Sequence, residues 1–368
     1  MKVVVVLGTR PEVIKLAPVI AELRRTGADP IVVATGQHRE MLDQMLRVFD
    51  IEPDVDLDVM RPQQQLSDLT ADLVRGLGEV VAELWPDWVV VQGDTTTTMC
   101  GALAAFYENV PVAHVEAGLR SGNRFSPFPE EVNRSVVARI ADVHFCPTGR
   151  SAENLIGEGV PEAHLLVTGN TVIDSLLWAV EHARLIEPPV PRSRPRRILL
   201  TLHRRESQGD AMRSVCEAVR RLVLRGDVEI VFPVHRSPLV RDVVQPELEG
   251  LDGMLLCEPL DYLSLVHVLD SCDLVLTDSG GLQEEAPTFG KPVLVLRETT
   301  ERHEAVEAGV ARLVGTDSAA IVEGATSLLD DPAAYAQMAH RTNPFGDGRA
   351  GERIVRKLAE QAGLLRAA

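Results

Sequence analysis

Three acidic residues in this chain stand where apolar runs end or a helix is expected to begin: Asp94 in VVVQGDTTTT, Glu116 in VAHVEAG and Glu130 in FPEEVNR. Carboxylates crowded at one edge of a sheet raise one another's pKa values, which supplies both a protonated acid and an ionised base near neutral pH. The chemistry this suggests is proton transfer. Glu130 also has a plainer reading, because it sits with Glu131 just after Pro129, where acids in a first helical turn simply favour the macrodipole. His203, in LLTLHRRES, ends another apolar run beside Arg204 and Arg205. A lone histidine is more often structural, but a strand-end position favours a functional one. Two turns suit anions. TDSGGLQEEAP sets Ser279, Gly280 and Gly281 between a strand and a helix, where backbone N–H groups and the helix dipole can cradle a phosphate. An ordinary glycine turn is the equal alternative there. Glu285, further along, can accept hydrogen bonds from ribose hydroxyls or can be a solvated helix carboxylate. GTRPE places Arg10, able to give an anion a bidentate pair, next to Pro11, which suits a first helical turn. It lacks the GxGxxG spacing of a dinucleotide site.

Such side chains need elements that end together. KVVVVLG reads as a buried strand leading into PEVIKLAPVIAELRR, whose apolar residues recur at helical spacing. The unit repeats as PIVVATG into REMLDQMLRVF and as WVVVQGDTTTT into MCGALAAFYEN. Continuous β-branched strands alternating with helices imply parallel sheets covered on both faces. EPPVPRSRPRR, near 186–197, breaks the pattern as a linker, after which RILLTL, VEIVFPV, GMLLC and CDLVLTD restart it. The expectation is an α/β protein of two Rossmann-like domains facing a central cleft. Residues 1–185 form the domain carrying most acid/base groups, 186–350 the second domain, and 351–368 a C-terminal helix that can pack back on the first. Ligands of open α/β sheets lie outside the carboxyl ends of the strands.

The 368 residues are 45% hydrophobic, enough for two cores. A net charge of −17 opposes nucleic acid or an anionic membrane as the main partner, so an anionic ligand needs a local site. Cys100, Cys146, Cys216, Cys257 and Cys272 show no CxxC pair or metal-ligand cluster, which points to a reduced, cytoplasmic setting. No apolar run reaches membrane-spanning length, and the opening six apolar residues are too short for a signal-peptide core.

Taken together, GTRPE, QGDTTTT, HVEAGLRSGN, FPEEVNR, HRRES, TDSGGLQEEAP, ERHEAVEAG and NPFGDG resemble the non-hydrolysing UDP-N-acetylglucosamine 2-epimerases, in order and over nearly the whole chain. The resemblance implies the glycosyltransferase-B type of two-domain fold, a homodimer, and UDP held mainly by the second domain. It implies interconversion of UDP-GlcNAc and UDP-ManNAc through 2-acetamidoglucal, with no NAD or metal. It assigns the carboxylates to Asp94, Glu116 and Glu130 and places His203 by the diphosphate as acid or electrostatic partner. Arg10, Ser279, Gly280 and Gly281 then hold the leaving diphosphate, Glu285 meets the ribose, and Lys15, Arg134 and His235 fall at basic positions near nucleotide or sugar. Gln37, His38 and Arg204 match the region where some members bind a second UDP-GlcNAc as activator. Glu40 and Gln63 depart from the neutral amide and arginine usual there, which implies a weaker activator effect. His303 replaces the proline of the common ERPEA, exchanging a rigid residue for one that can titrate. Rival expectations are a hydrolysing epimerase releasing UDP and ManNAc, a UDP-sugar transferase on the same fold, and a non-enzymatic nucleotide-sugar sensor.

Overall fold

A computed structural model describes residues 1–36, 39–61, 63–203 and 209–365. The chain divides into two compact units, Met1–Ser175 with the stretch from Phe345 onward, and Leu176–Pro344. No helix among the described residues is long and apolar enough to cross a membrane.

The first unit is built on β1 (Lys2–Leu7), β2 (Asp29–Ala34), β3 (Val55–Asp56), β4 (Trp88–Gln92), β5 (Val112–Val115), β6 (Val143–Cys146) and β7 (Leu165–Val167). They form one sheet in the order β3-β2-β1-β4-β5-β6-β7, with parallel pairing throughout. β1 shows why the sequence folds this way. Its β-branched run favours an extended chain, and Val3 through Leu7 are at most 1% exposed, so both faces of the strand are covered. On one face Val4 and Val6 join Val89 and Val91 of β4 and meet Leu73 and Leu77 of the helix Leu66–Leu84. Each such side chain contributes about 1.5–3 kcal/mol on burial. The helix Ala350–Leu365 belongs to this unit: the Asp174 carboxylate accepts hydrogen bonds from the first-turn N–H groups of Ala350 and Gly351 at 3.2 and 2.8 Å. Its Ile354, Val355 and Leu358 are buried.

The second unit repeats the scheme. β8 (Arg196–Thr201), β9 (Val228–Pro233), β10 (Met254–Cys257), β11 (Leu274–Thr277), β12 (Val293–Val295) and β13 (Ala311–Leu313) form a parallel sheet in the order β10-β9-β8-β11-β12-β13. Ile198, Leu200, Ile230, Phe232, Leu274 and Leu276 pack against Met212, Val215, Val219 and Leu222 of the helix Asp210–Val223. In each sheet the strand order reverses at the first strand, between β1 and β4 and between β8 and β11. At such a reversal the loops on either side diverge and leave a crevice. The turns after β1, β4, β8 and β11 are therefore where each unit can hold a ligand.

Candidate active site

In the first unit the sheet edge gathers two groups of opposite charges. Glu116 follows β5 directly and is held at φ 61°. A side chain in the left-handed region costs of order 1–3 kcal/mol and persists only where its surroundings over-determine it. Its surroundings do so here. The carboxylate is buried, and it accepts hydrogen bonds from Lys15 Nζ at 2.5 Å, Gln92 Nε2 at 2.5 Å and Asn170 Nδ2 at 2.9 Å. Two residues on, the backbone must pass against the helix Gly149–Gly157: a Cβ on Gly118, at φ 89°, would lie 2.1 Å from the Ser151 carbonyl oxygen. Only glycine fits. Asn170 is held in turn by the returning chain, since its backbone N donates to the Phe345 carbonyl at 2.6 Å.

Asp94 lies one residue beyond Gly93 in the turn after β4. Three neighbours fix that turn: His114 Nε2 donates to the Gly93 carbonyl at 2.8 Å, Asn133 Nδ2 donates to the Asp94 carbonyl at 2.9 Å, and Arg134 pairs with the Asp94 carboxylate. The carbonyl acceptor sets the Nε2–H tautomer of His114, and burial pushes its pKa down to about 4. Burial together with its neighbours His114 and His164 takes His144, one strand over, down to about 3. Both rings are neutral at pH 7. The Glu116 carboxylate also borders this turn, standing 3.5 Å from where a Cβ on Gly93 would be.

The pair at the start of the helix Glu130–Ile140 divides its labour. Glu131 turns back to accept from the backbone N of Ser121 and Gly122, each at 3.0 Å, and from Arg134 at 2.8 Å. Burial pushes its pKa up, but these bonds outweigh it and hold the carboxyl below its ordinary value. Glu130 is half-buried, and its Oε2 is buried with no hydrogen-bond partner among the described residues. Lys15, Asp94, Glu116 and Arg134 are thus brought together at one sheet edge, while Glu130 stands on the same helix as Arg134 without a bond to them. Arg10 is exposed as the first residue of the helix Arg10–Arg25 and forms no ion pair among the described residues.

The second unit presents a different set. Asp278, just past β11 and fully buried, accepts from the His203 backbone N at 3.0 Å, and its Oδ1 lies 3.0 Å from His203 Nδ1. With a proton on Nδ1 facing the carboxylate, the exposed ring offers Nε2 for chemistry. The turn continues into the helix Gly280–Glu285, which has no side-chain cap from Ser279. Gln283 donates to the Ser279 carbonyl at 3.0 Å and accepts from Thr300 at 2.6 Å, so the turn is braced from the segment preceding His303. Gly281 is exposed; Glu285 is half-buried, its Oε1 3.5 Å from where a Cβ on Gly281 would be. His235, two residues past β9, is exposed and accepts from the Ser237 N at 3.1 Å through Nδ1. His303 opens the short helix His303–Glu307, and the first helical position suits proline and other residues alike, which accounts for the exchange there. Gln37, His38 and Arg204 lie outside the described residues.

Sequence reasoning missed Glu12, Gln92, Asn133, Asn170 and Asp278. Of these, Glu12 had a legible signal: Thr9-x-x-Glu12 has the spacing of a capping box. Asp278 occupies the same place after β11 that Asp94 nearly occupies after β4.

Two doubly wound parallel sheets with polar turns at their carboxyl edges define a chain of the glycosyltransferase-B fold. MurG of Acinetobacter baumannii shares that fold with a TM-score of 0.64 at 15% identity, covering 98% of this chain and 100% of its own. The finer relation is in the sequence. Residues 21–359 match the family model described as UDP-N-acetylglucosamine 2-epimerase. A probable UDP-N-acetylglucosamine 2-epimerase of Ralstonia nicotianae is 51% identical over 370 residues, spanning 97% of this chain and 98% of its own. The structure of UDP-GlcNAc 2-epimerase from Neisseria meningitidis bound to UDP-GlcNAc superposes with a TM-score of 0.88 at 43% identity, covering 98% of this chain and 100% of its own. The chain belongs to the UDP-N-acetylglucosamine 2-epimerase family.

Proposed function

We propose that this protein interconverts UDP-GlcNAc and UDP-ManNAc without hydrolysis, as a cytoplasmic homodimer. The hydrogen at C2 of the sugar has no adjacent ring carbonyl, so its direct removal would leave a poorly stabilised carbanion. Coupling proton removal to departure of UDP avoids this: the C2–H pair forms the C1–C2 double bond of 2-acetamidoglucal as the C1–O bond breaks, and the diphosphate carries away the negative charge. UDP then returns to C1 while a proton is delivered to the opposite face of C2. Two proton-handling groups are required.

The observation that carries this reading is the compensated cluster after β4 and β5, where Asp94 and Glu116 each hold a cationic partner, Arg134 and Lys15. Paired charges of this kind need no net charge from solvent, and a shift of either cation toward a bound sugar or phosphate frees a carboxylate as base. Glu130, whose buried Oε2 has no hydrogen-bond partner among the described residues, is suited to be the second proton-handling group. In the second unit, His203 on its Asp278 support would meet the diphosphate, the turn Ser279–Gly281 would give it backbone N–H groups, and Glu285 would meet the ribose. Arg10 is suited to add positive charge for the departing group, and His235 to offer it a ring N–H. The complex of the Neisseria relative with UDP-GlcNAc supports a UDP-sugar as ligand. Gln37, His38 and Arg204 remain the residues of a proposed second, activating UDP-GlcNAc site.

Chromatography of purified protein incubated with UDP-GlcNAc tests the reading. UDP-ManNAc should accumulate to equilibrium with little free UDP. Stoichiometric UDP and free ManNAc would instead identify a hydrolysing enzyme, and no change of the sugar a transferase or a binding protein.

A further inference from the structure

The turn after β1 is the place where this sheet topology commonly holds a ligand's phosphate, against the N-terminus of the first helix. In this chain the place is taken. The Glu12 carboxylate folds back over the first turn of the helix Arg10–Arg25 and accepts hydrogen bonds from the backbone N of Gly8 at 2.8 Å and of Thr9 at 2.6 Å. Its other oxygen accepts from Thr95 Oγ1 at 2.6 Å and lies 3.1 Å from Thr98 Oγ1. Thr95 immediately follows Asp94, and its side chain also caps the helix Thr96–Tyr107. One carboxylate therefore joins the turn that carries Arg10 to the turn that carries Asp94.

A cap alone would not require this arrangement. Capping groups work as well half-exposed, whereas Glu12 is only 2% exposed, and burying a carboxylate costs stability unless several donors compensate. Burial raises its pKa, and the bonds from Thr95, Gly8 and Thr9 offset that only in part. The tie across two strand ends is what the buried position adds.

We propose that Glu12 is a positioning residue, an internal anion that occupies the first turn of the first unit in place of a ligand phosphate and fixes the Asp94 turn for proton transfer. The inference rests on the proposed role of Asp94. Its consequence is a division of effects: loss of Glu12 should impair the chemical step far more than UDP affinity, which the reading gives mainly to the second unit.

The test compares Glu12→Ala and Glu12→Gln with wild type in kcat, in UDP affinity by calorimetry, and in amide hydrogen exchange over residues 92–98. Glu12→Ala should lower kcat about 10- to 100-fold, the scale of a misplaced catalytic group. Its UDP affinity should fall far less than kcat, and protection of 92–98 should fall. Glu12→Gln should recover most of the rate, because its amide oxygen accepts from Gly8 and Thr9 and its NH2 reaches Thr95. Sodium acetate, but not chloride, should restore part of the rate of Glu12→Ala by refilling the turn. Should Glu12→Ala fail to fold, Thr95→Val against Thr95→Ser asks the same question, with kcat reduced only in the former. Equal losses of kcat and UDP affinity, or unaltered kcat with normal exchange, would overturn the proposal. If wild type itself shows no epimerisation, the functional reading fails, and the exchange data still decide whether Glu12 fixes the 92–98 turn.

Discussion

The two units share one strand order and use it differently. At the reversal of the first sheet, the chain fills its own anion position with Glu12 and surrounds Asp94 and Glu116 with Arg134, Lys15, Gln92 and Asn170. At the reversal of the second, the buried Asp278 carboxylate supports an exposed His203, and the adjoining helix start has no side-chain cap. Asp94 and Glu116 of the first unit are closed upon their own partners; the second unit turns His203 and Gly281 to solvent. The lesson is that a repeated scaffold fixes where side chains emerge, while the residues after each strand decide whether that edge handles protons or holds an anion.

Removing a carboxylate from the first unit should have the largest effect. Asp94→Asn or Glu116→Gln should lower kcat by about 10³-fold while calorimetry finds UDP bound as in wild type, since general acid/base groups contribute 10²–10⁴-fold. A matching loss of UDP affinity would erase the division between units.

The next effect concerns stability. His114 and His144 are buried neutral in the first unit, with pKa values of about 4 and about 3. Because their folded values lie below the unfolded value near 6.5, the unfolded chain takes up protons first. The stability they contribute is therefore complete above about pH 6.5 and is lost as pH falls toward 4. For His114 the loss is on the order of 3 kcal/mol by pH 4, at about 1.4 kcal/mol per pKa unit. The raised values of Glu12 and Asp174 act in the opposite sense, so the histidine is isolated by difference. Denaturant melts of wild type and His114→Asn should converge by that amount between pH 7 and pH 4, and parallel curves would contradict the assignment.

Smaller effects probe the second unit. Asp278→Asn presents an NH2 to His203 Nδ1 and should lower kcat about 10²-fold through the ring's tautomer and orientation, with the melting temperature little changed by comparison. Gly280→Ala should fold normally, as its Cβ would meet only the Arg302 guanidinium at 3.5 Å. It should weaken UDP binding about tenfold, or 1.4 kcal/mol, by crowding the diphosphate. Undiminished affinity would remove the diphosphate from that turn.

What the sequence made legible were the strands and the residues that end them. KVVVVL, WVVVQ, RILLT and LVLT read as buried parallel strands, and Asp94, Glu116 and His203 read as groups at their carboxyl edge. The supporting residues were hidden for a physical reason: each touches a partner far away in the chain. Asn170 reaches Glu116 across 54 residues, and Asp278 reaches His203 across 75. Periodicity records a residue's own strand or helix and carries nothing about contacts made between loops of different strands. The two acids Glu130 and Glu131 looked equivalent in sequence, and the backbone N–H groups of Ser121 and Gly122 together with Arg134 separate their environments.

The most direct measurement is proton NMR of the purified protein with UDP-GlcNAc in heavy water, following the sugar H1 and H2 signals. The account predicts that UDP-ManNAc appears with deuterium at C2 while free UDP stays low. Persistence of the H2 signal with no new sugar would contradict it.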